Sequence, residues 1–221
     1  MRNPSIFFIL IGLFTSCGSF KKIPESELTD DYYLFRQQGE RYNKVYVHIL
    51  QDSLAIIPLN TTIGQVITSK PGKDQFFLHR SFDIDILTVP FKYRPSSKGI
   101  PRQLNTEFNG NVFLGYRWDR YRIHENVTPA GMRKRLQHRA FTFGTFGGFG
   151  TSFVGPFTTN YLITDEYNGL ILSRGLSAMV GVNKLTVGLG IGWDYLTDRD
   201  KDIWIYQNEA WYGLTLSLNL N

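Results

Sequence analysis

Residues 169–196 read GLILSRGLSAMVGVNKLTVGLGIGWDYL. Leu176, Ala178, Val180 and Val182 alternate with small residues, and Leu185, Val187, Leu189, Ile191 and Trp193 then recur at the same period of two. Two is the side-chain repeat of a strand, and Val182-Asn183-Lys184 reads as a tight turn, so the stretch predicts a β-hairpin. The second strand carries Lys184, Thr186, Gly188, Gly190, Gly192 and Asp194 on its other face. One face is apolar and the other is polar or nearly bare. In a soluble sheet the apolar face meets a core; in a membrane-spanning sheet it meets lipid and the polar set turns inward.

The alternation continues in both directions. At 209–220, Tyr212, Leu214, Leu216 and Leu218 alternate with Trp211, Gly213, Thr215 and Ser217. At 105–118, Phe108, Val112, Leu114, Tyr116 and Trp118 oppose Glu107, Asn109, Asn111 and Arg117, polar residues that would be costly in a dry core. At 81–94, Phe82, Ile84 and Ile86 alternate with Asp83 and Asp85 until the pattern blurs at Leu87. The glycine- and aromatic-rich 139–154 completes the long strands, with a bend predicted at Gly147-Gly148. Shorter strand signals at 42–50 and 53–59 bring the count to eight, with 169–182 and 184–195 as the hairpin. A short helix is predicted over 29–38, with Thr29 as N-cap and Gly39 as its stop. Another is predicted within 119–138, with Thr128 as N-cap and Pro129 in the first turn.

Composition agrees with strands. Of 221 residues, 15% are aromatic, 21 are glycine, and only 19% are charged against about 25% in ordinary soluble domains. The net charge of +5 favours anionic partners. The chain opens with Arg2, a short apolar run over 5–14, and then Thr15-Ser16-Cys17, which resembles a bacterial lipoprotein signal peptide. The run is too short for a membrane-spanning helix, which needs about 20 residues. The resemblance implies cleavage before Cys17 and a lipid on its sulfur. Export turns the basic charge towards anionic lipid and away from nucleic acid. Cys17 is the only cysteine, so no disulfide forms within the chain.

Strand count, alternation, the aromatics Tyr116, Trp118, Trp193, Trp211 and Tyr212, and the amphipathic last strand together resemble the small eight-stranded outer-membrane barrels of Gram-negative bacteria. The resemblance implies an all-β fold, a single antiparallel up-and-down β-barrel over 42–221. A signal peptide over 1–16 and a lipidated tether with its short helix over 17–41 would precede it. It also implies an outer-membrane location, with membrane lipid as a partner and the 156–168 and 196–208 loops as contact points for another envelope protein. Three features depart from the pattern: a lipid on Cys17 is an extra anchor that a barrel does not need, Leu220-Asn221 lacks a terminal aromatic, and Arg174 falls on the apolar face.

Candidate sites are few. Asp83, Asp85, Glu107, Arg117, Lys184 and Asp194 share the polar parity of their strands, as a charge network filling a narrow interior would require. Arg133, Lys134, Arg135 and Arg139 form the densest basic cluster, suited to anionic lipid headgroups. The carboxylates of Asp198, Asp200 and Asp202 alternate with Arg199 and Lys201 and lack the glycine and terminal glutamate of a calcium loop, so no metal is expected. His48, His79, His124 and His138 stand outside any nucleophile motif, and neither catalysis nor a cofactor is expected. The favoured reading is a structural, adhesive or partner-docking barrel. Two others stay open: a lipid-anchored periplasmic barrel enclosing an apolar ligand, and an outer-membrane lipid-modifying enzyme.

Overall fold

A computed structural model describes residues 21–22, 28–50, 53–59, 73–97, 99–128, 131–182 and 185–218. Its strands are β1 (Lys21–Lys22), β2 (Asp31–Gln37), β3 (Asn43–Leu50), β4 (Ser53–Pro58), β5 (Gln75–Arg94), β6 (Gln103–Asn105), β7 (Asn109–Thr128), β8 (Gly131–Val154), β9 (Tyr167–Val182), β10 (Leu185–Leu196) and β11 (Ala210–Leu218). The all-β, antiparallel expectation holds. The chain divides into two compact units, 1–78 with 120–138 and 79–119 with 139–221, so β5, β7 and β8 each contribute to both.

Both expected helices are strands. Over 31–37, Tyr33, Phe35 and Gln37 are buried and Tyr32 is exposed, and β2 pairs β3 on one side and the start of β5 on the other. Gly39 does end the element, but as a turn at φ 87°. Within 119–138 the described residues are strand: Tyr121 and Ile123 are buried between exposed Arg120 and Arg122, β7 runs to Thr128 and β8 starts at Gly131, while Pro129, expected in the helix's first turn, lies outside the described residues. A period of two over so many residues leaves no helical face to bury.

The first unit has an ordinary soluble pattern. Tyr33, Phe35, Val45, Val47, Ile56 and Phe77 from β2–β5 bury themselves with Tyr121, Ile123 and Leu136. Strands expected at 42–50 and 53–59 therefore belong to this unit's sheet.

In the second unit the pairing is cyclic. β7 pairs β5 and β8, and the order continues β8–β9–β10–β11 and back to β5, so six strands close on themselves where eight had been expected. The hairpin that organises the sequence pairs without a shift from Val182↔Leu185 to Ile171↔Leu196. β8 pairs β9 equally regularly through Gly147 and Gly148, so the predicted bend is absent from that ladder. Closure depends on β11 meeting β5, where the register shifts: Leu214 opposes Phe91, but Leu216 opposes Thr88. The extra residue is a bulge at Val89-Pro90, where proline has no N–H to give to a ladder.

Burial in this unit is inverted. Phe108 and Leu189 are each 71% exposed, whereas Asp83 and Asp194 are fully buried. Outward positions on all six strands are chiefly leucine, isoleucine, valine, phenylalanine, tyrosine and tryptophan.

Candidate functional site

The inward positions of the six-stranded ring carry the molecule's concentrated chemistry. Asp83 and Arg117 lie on the neighbouring strands β5 and β7, which brings the Arg117 Nη1 within 3.9 Å of the Asp83 carboxylate. Arg117 Nε donates to Asp119 Oδ1 at 3.0 Å, and the Ser217 hydroxyl of β11 donates to Asp85 at 2.7 Å. A charged group taken from water needs such partners to remain in the interior.

Above this layer sits an apolar one of Leu87, Val89, Phe113, Phe146, Met179 and Trp211. The Phe146 ring fits because the β9 residue beside it is Gly175, and Trp211 fits over Gly192; a Cβ at either glycine would overlap the ring. Phe146 and Trp211 pack at 5.9 Å between centroids. The lumen is filled there by side chains.

A second charged layer follows. Lys92 Nζ donates to both oxygens of Asp194 at 3.1 Å, and Arg94 Nη2 and the Ser173 hydroxyl donate to the same carboxylate, the latter at 2.7 Å. Lys92 also lies 4.8 Å from the centre of the Trp211 ring, and Arg94 lies 4.7 Å from that of Tyr206. Glu107 stands nearer the rim and accepts from the Ser152 hydroxyl and the Phe153 N–H, both at 3.0 Å. The loops then close over this end: Trp204, Ile205 and Tyr206 bury themselves among Ile100, Val154, Ile171 and Leu196. The Ile205 N–H donates to Thr158 O, tying the 197–209 segment to the 3-10 turn at Pro156–Thr159.

Asp83, Asp85, Glu107, Arg117 and Asp194 thus all belong to the interior, in two layers and a rim; Lys184 lies outside the described residues, as does Cys17. Lys92 and Arg94, the cations that hold Asp194, escaped the sequence reading because simple alternation puts even-numbered β5 residues outside. The bulge at Pro90 flips the phase, so Phe91 and Tyr93 turn outward and Lys92 and Arg94 turn inward. Proline inside an alternating strand was the available signal. Asn109 repairs the ladder there: its side-chain amide donates to Val89 O and accepts from Val89 N–H, both at 2.8 Å.

The basic cluster is carried on β8. Arg135 and Arg139 are exposed, and the side chains of Arg133 and Lys134 lie outside the described residues. Asp198 and Asp200 accept from the Tyr167 hydroxyl at 3.0 and 2.7 Å. Among the described residues, no three His, Cys, Asp or Glu side chains gather as for a metal. In the first unit His48 bonds Asp30, His138 stacks on Tyr121 at 4.3 Å, and Asp74 is bonded by His124 and Arg122. Burial alone would raise the Asp74 pKa, but the hydrogen bonds and charge from His124 and Arg122 hold its carboxyl below the usual range.

Compared with protein-family models, curated proteins and solved structures, the chain matches none.

Proposed function

We propose that the second unit is a six-stranded transmembrane β-barrel of the outer membrane, with a closed and filled lumen. In this reading the chain is exported behind a lipoprotein signal, carries lipid on Cys17, and acts as a structural, adhesive or partner-docking element without catalysis. The observation that carries it is a switch in what single strands expose. Along β7 the outward residues are Val112, Leu114, Tyr116 and Trp118, and then Arg120 and Arg122. Along β5 the change comes between Arg80 and Phe82, and along β8 between Arg139 and Phe141. The apolar outward run from Phe108, just before β7, to Trp118 matches the roughly 9–11 residues of a tilted membrane strand, and closed pairing leaves no unsatisfied edge in hydrocarbon.

A ligand-binding soluble barrel would need the opposite parity, an apolar cavity within and a polar exterior. The interior layers described above offer charge and packed rings instead. The basic boundary at Arg139 suits anionic headgroups. Docking falls to the 155–166 loop, where Tyr161 and Leu162 are 72% and 67% exposed and the left-handed Asn160 and Tyr161 hold them outward.

The test expresses the chain with Cys17→Ala behind a cleavable signal, so that only the strands can hold it to a membrane. The barrel predicts a carbonate-resistant pellet and a gel mobility that changes on heating. A soluble monomer after carbonate would overturn it.

A further inference from the structure

We propose that Arg174 binds the phosphate of a membrane lipid on the outer face of β9, a site that rests on the barrel assignment above. Between the arginine boundary and the loop end, Arg174 is the one charged side chain at the described outward positions of the six ring strands. Its direction is no slip of register, since β9 pairs without interruption with both β8 and β10 around it, Arg174 standing opposite Gly147 and Trp193. Leu172 and Leu176 flank it on the same face.

A lone charge on such a face is costly at the bilayer midplane and far less so near the interface. A partner of opposite sign that enters from the lipid offsets this, and a phosphate takes the planar guanidinium fork in two parallel charge-assisted hydrogen bonds. Arg174 lies four residues inside Leu170, a climb of about 10 Å for a tilted strand, which a snorkelling arginine and a descending headgroup can bridge between them. The space is present. A groove of about 440 Å³ opens beside Leu172, Arg174, Tyr195 and Asn208, the last two offering a phenol and an amide towards the loops. On the β8 side a Cβ at Gly147 would meet only Ser173 O, at 3.8 Å, so the flank of the arginine is open. Leucine walls on both sides select an anion that brings acyl chains with it over a free one.

The experiment uses the full chain, purified from membranes into detergent and stripped of co-purifying lipid. Native mass spectrometry then follows retention of phosphatidic acid, of diacylglycerol with the same acyl chains, and of inorganic phosphate. The wild type should retain phosphatidic acid at least tenfold better than diacylglycerol. Arg174→Leu should level the two, Arg174→Lys should keep part of the preference, and Gly147→Leu, which leaves the arginine and fills its flank, should weaken it several-fold. Equal retention of both lipids by the wild type, an Arg174→Leu variant that keeps the preference, or phosphate bound as well as phosphatidic acid would each overturn the site. Heat-dependent mobility on the same samples separates the two levels: a preserved shift with no lipid preference removes the site alone. A wild type that carbonate extracts removes the barrel and the site with it.

Discussion

Asp194 holds two cations that are buried with it, so the three side chains are worth least when one is missing. Asp194→Asn leaves Lys92 and Arg94 buried with one neutral partner and should cost about 3–5 kcal/mol, read as a lower urea midpoint for loss of the compact gel form. Ser173→Ala removes one hydrogen bond to the same carboxylate and should cost nearer 1 kcal/mol. Glycines at adjacent β8 and β9 pairs behave oppositely: Gly175→Ala drives a methyl into Phe146 and should impair folding, whereas Gly147→Ala makes only an ordinary contact with Ser173 O at 3.8 Å and should be tolerated within about 0.5 kcal/mol. Of the interior's acidic members, Asp83, Asp85, Glu107 and Asp194 could be found from alternation because charge at a fixed parity is a strong signal over several strands, whereas Asp119 fell just past the strand end expected at 118. Lys92 and Arg94 could not be found that way, since a single proline reversed the phase that alternation assumes.

Elements differ in how they answer to pH and to lipid. The Asp74 carboxyl, at the foot of β5, is held below its ordinary value by His124 and Arg122 on β7. A depressed carboxylate adds stability above its unfolded pKa of about 3.9, and that part is lost as pH falls through the lower folded value. Amide exchange in β2 and β3 should therefore accelerate as pH is lowered from about 5 through that range, after correction for the intrinsic rate, and Asp74→Asn should flatten the response. Under the proposed membrane barrel, Leu189→Arg puts a charge on β10's apolar face and should reduce insertion by about 2–4 kcal/mol for a mid-bilayer position, as measured by the carbonate-resistant fraction. Long strands were legible because alternation over ten or more residues has one reading. The β2 segment was not, as Asp31-Tyr32-Tyr33-Leu34-Phe35-Arg36-Gln37 is short enough to suit either period, and a glycine after it stops a helix or turns a strand equally well. Thr128-Pro129 carried the same double meaning. The count of eight failed because alternation reports which side a residue faces and is silent on which strand lies beside it: β3 and β4 alternate like the ring strands yet pair within the first unit's sheet.

At the scale of the molecule, charge and aromatic layers stack inside the ring, so the purified wild type should show no ion current in planar bilayers. The β11–β5 seam matters for another reason. Ser217 and Asp85 meet across 132 residues of chain, and the β5–β11 ladder closes the cycle between strands far apart in sequence. The described members of the first unit's core, by contrast, all lie between residues 28 and 136, ahead of β9 in the chain. A chain made in order therefore completes the described core of the first unit before β11 is available to close the ring. The open edges of β5 and β11 must in the interval be kept from other strands, which makes the final closure the slow, high-contact-order step and the one at which an assembly factor would act.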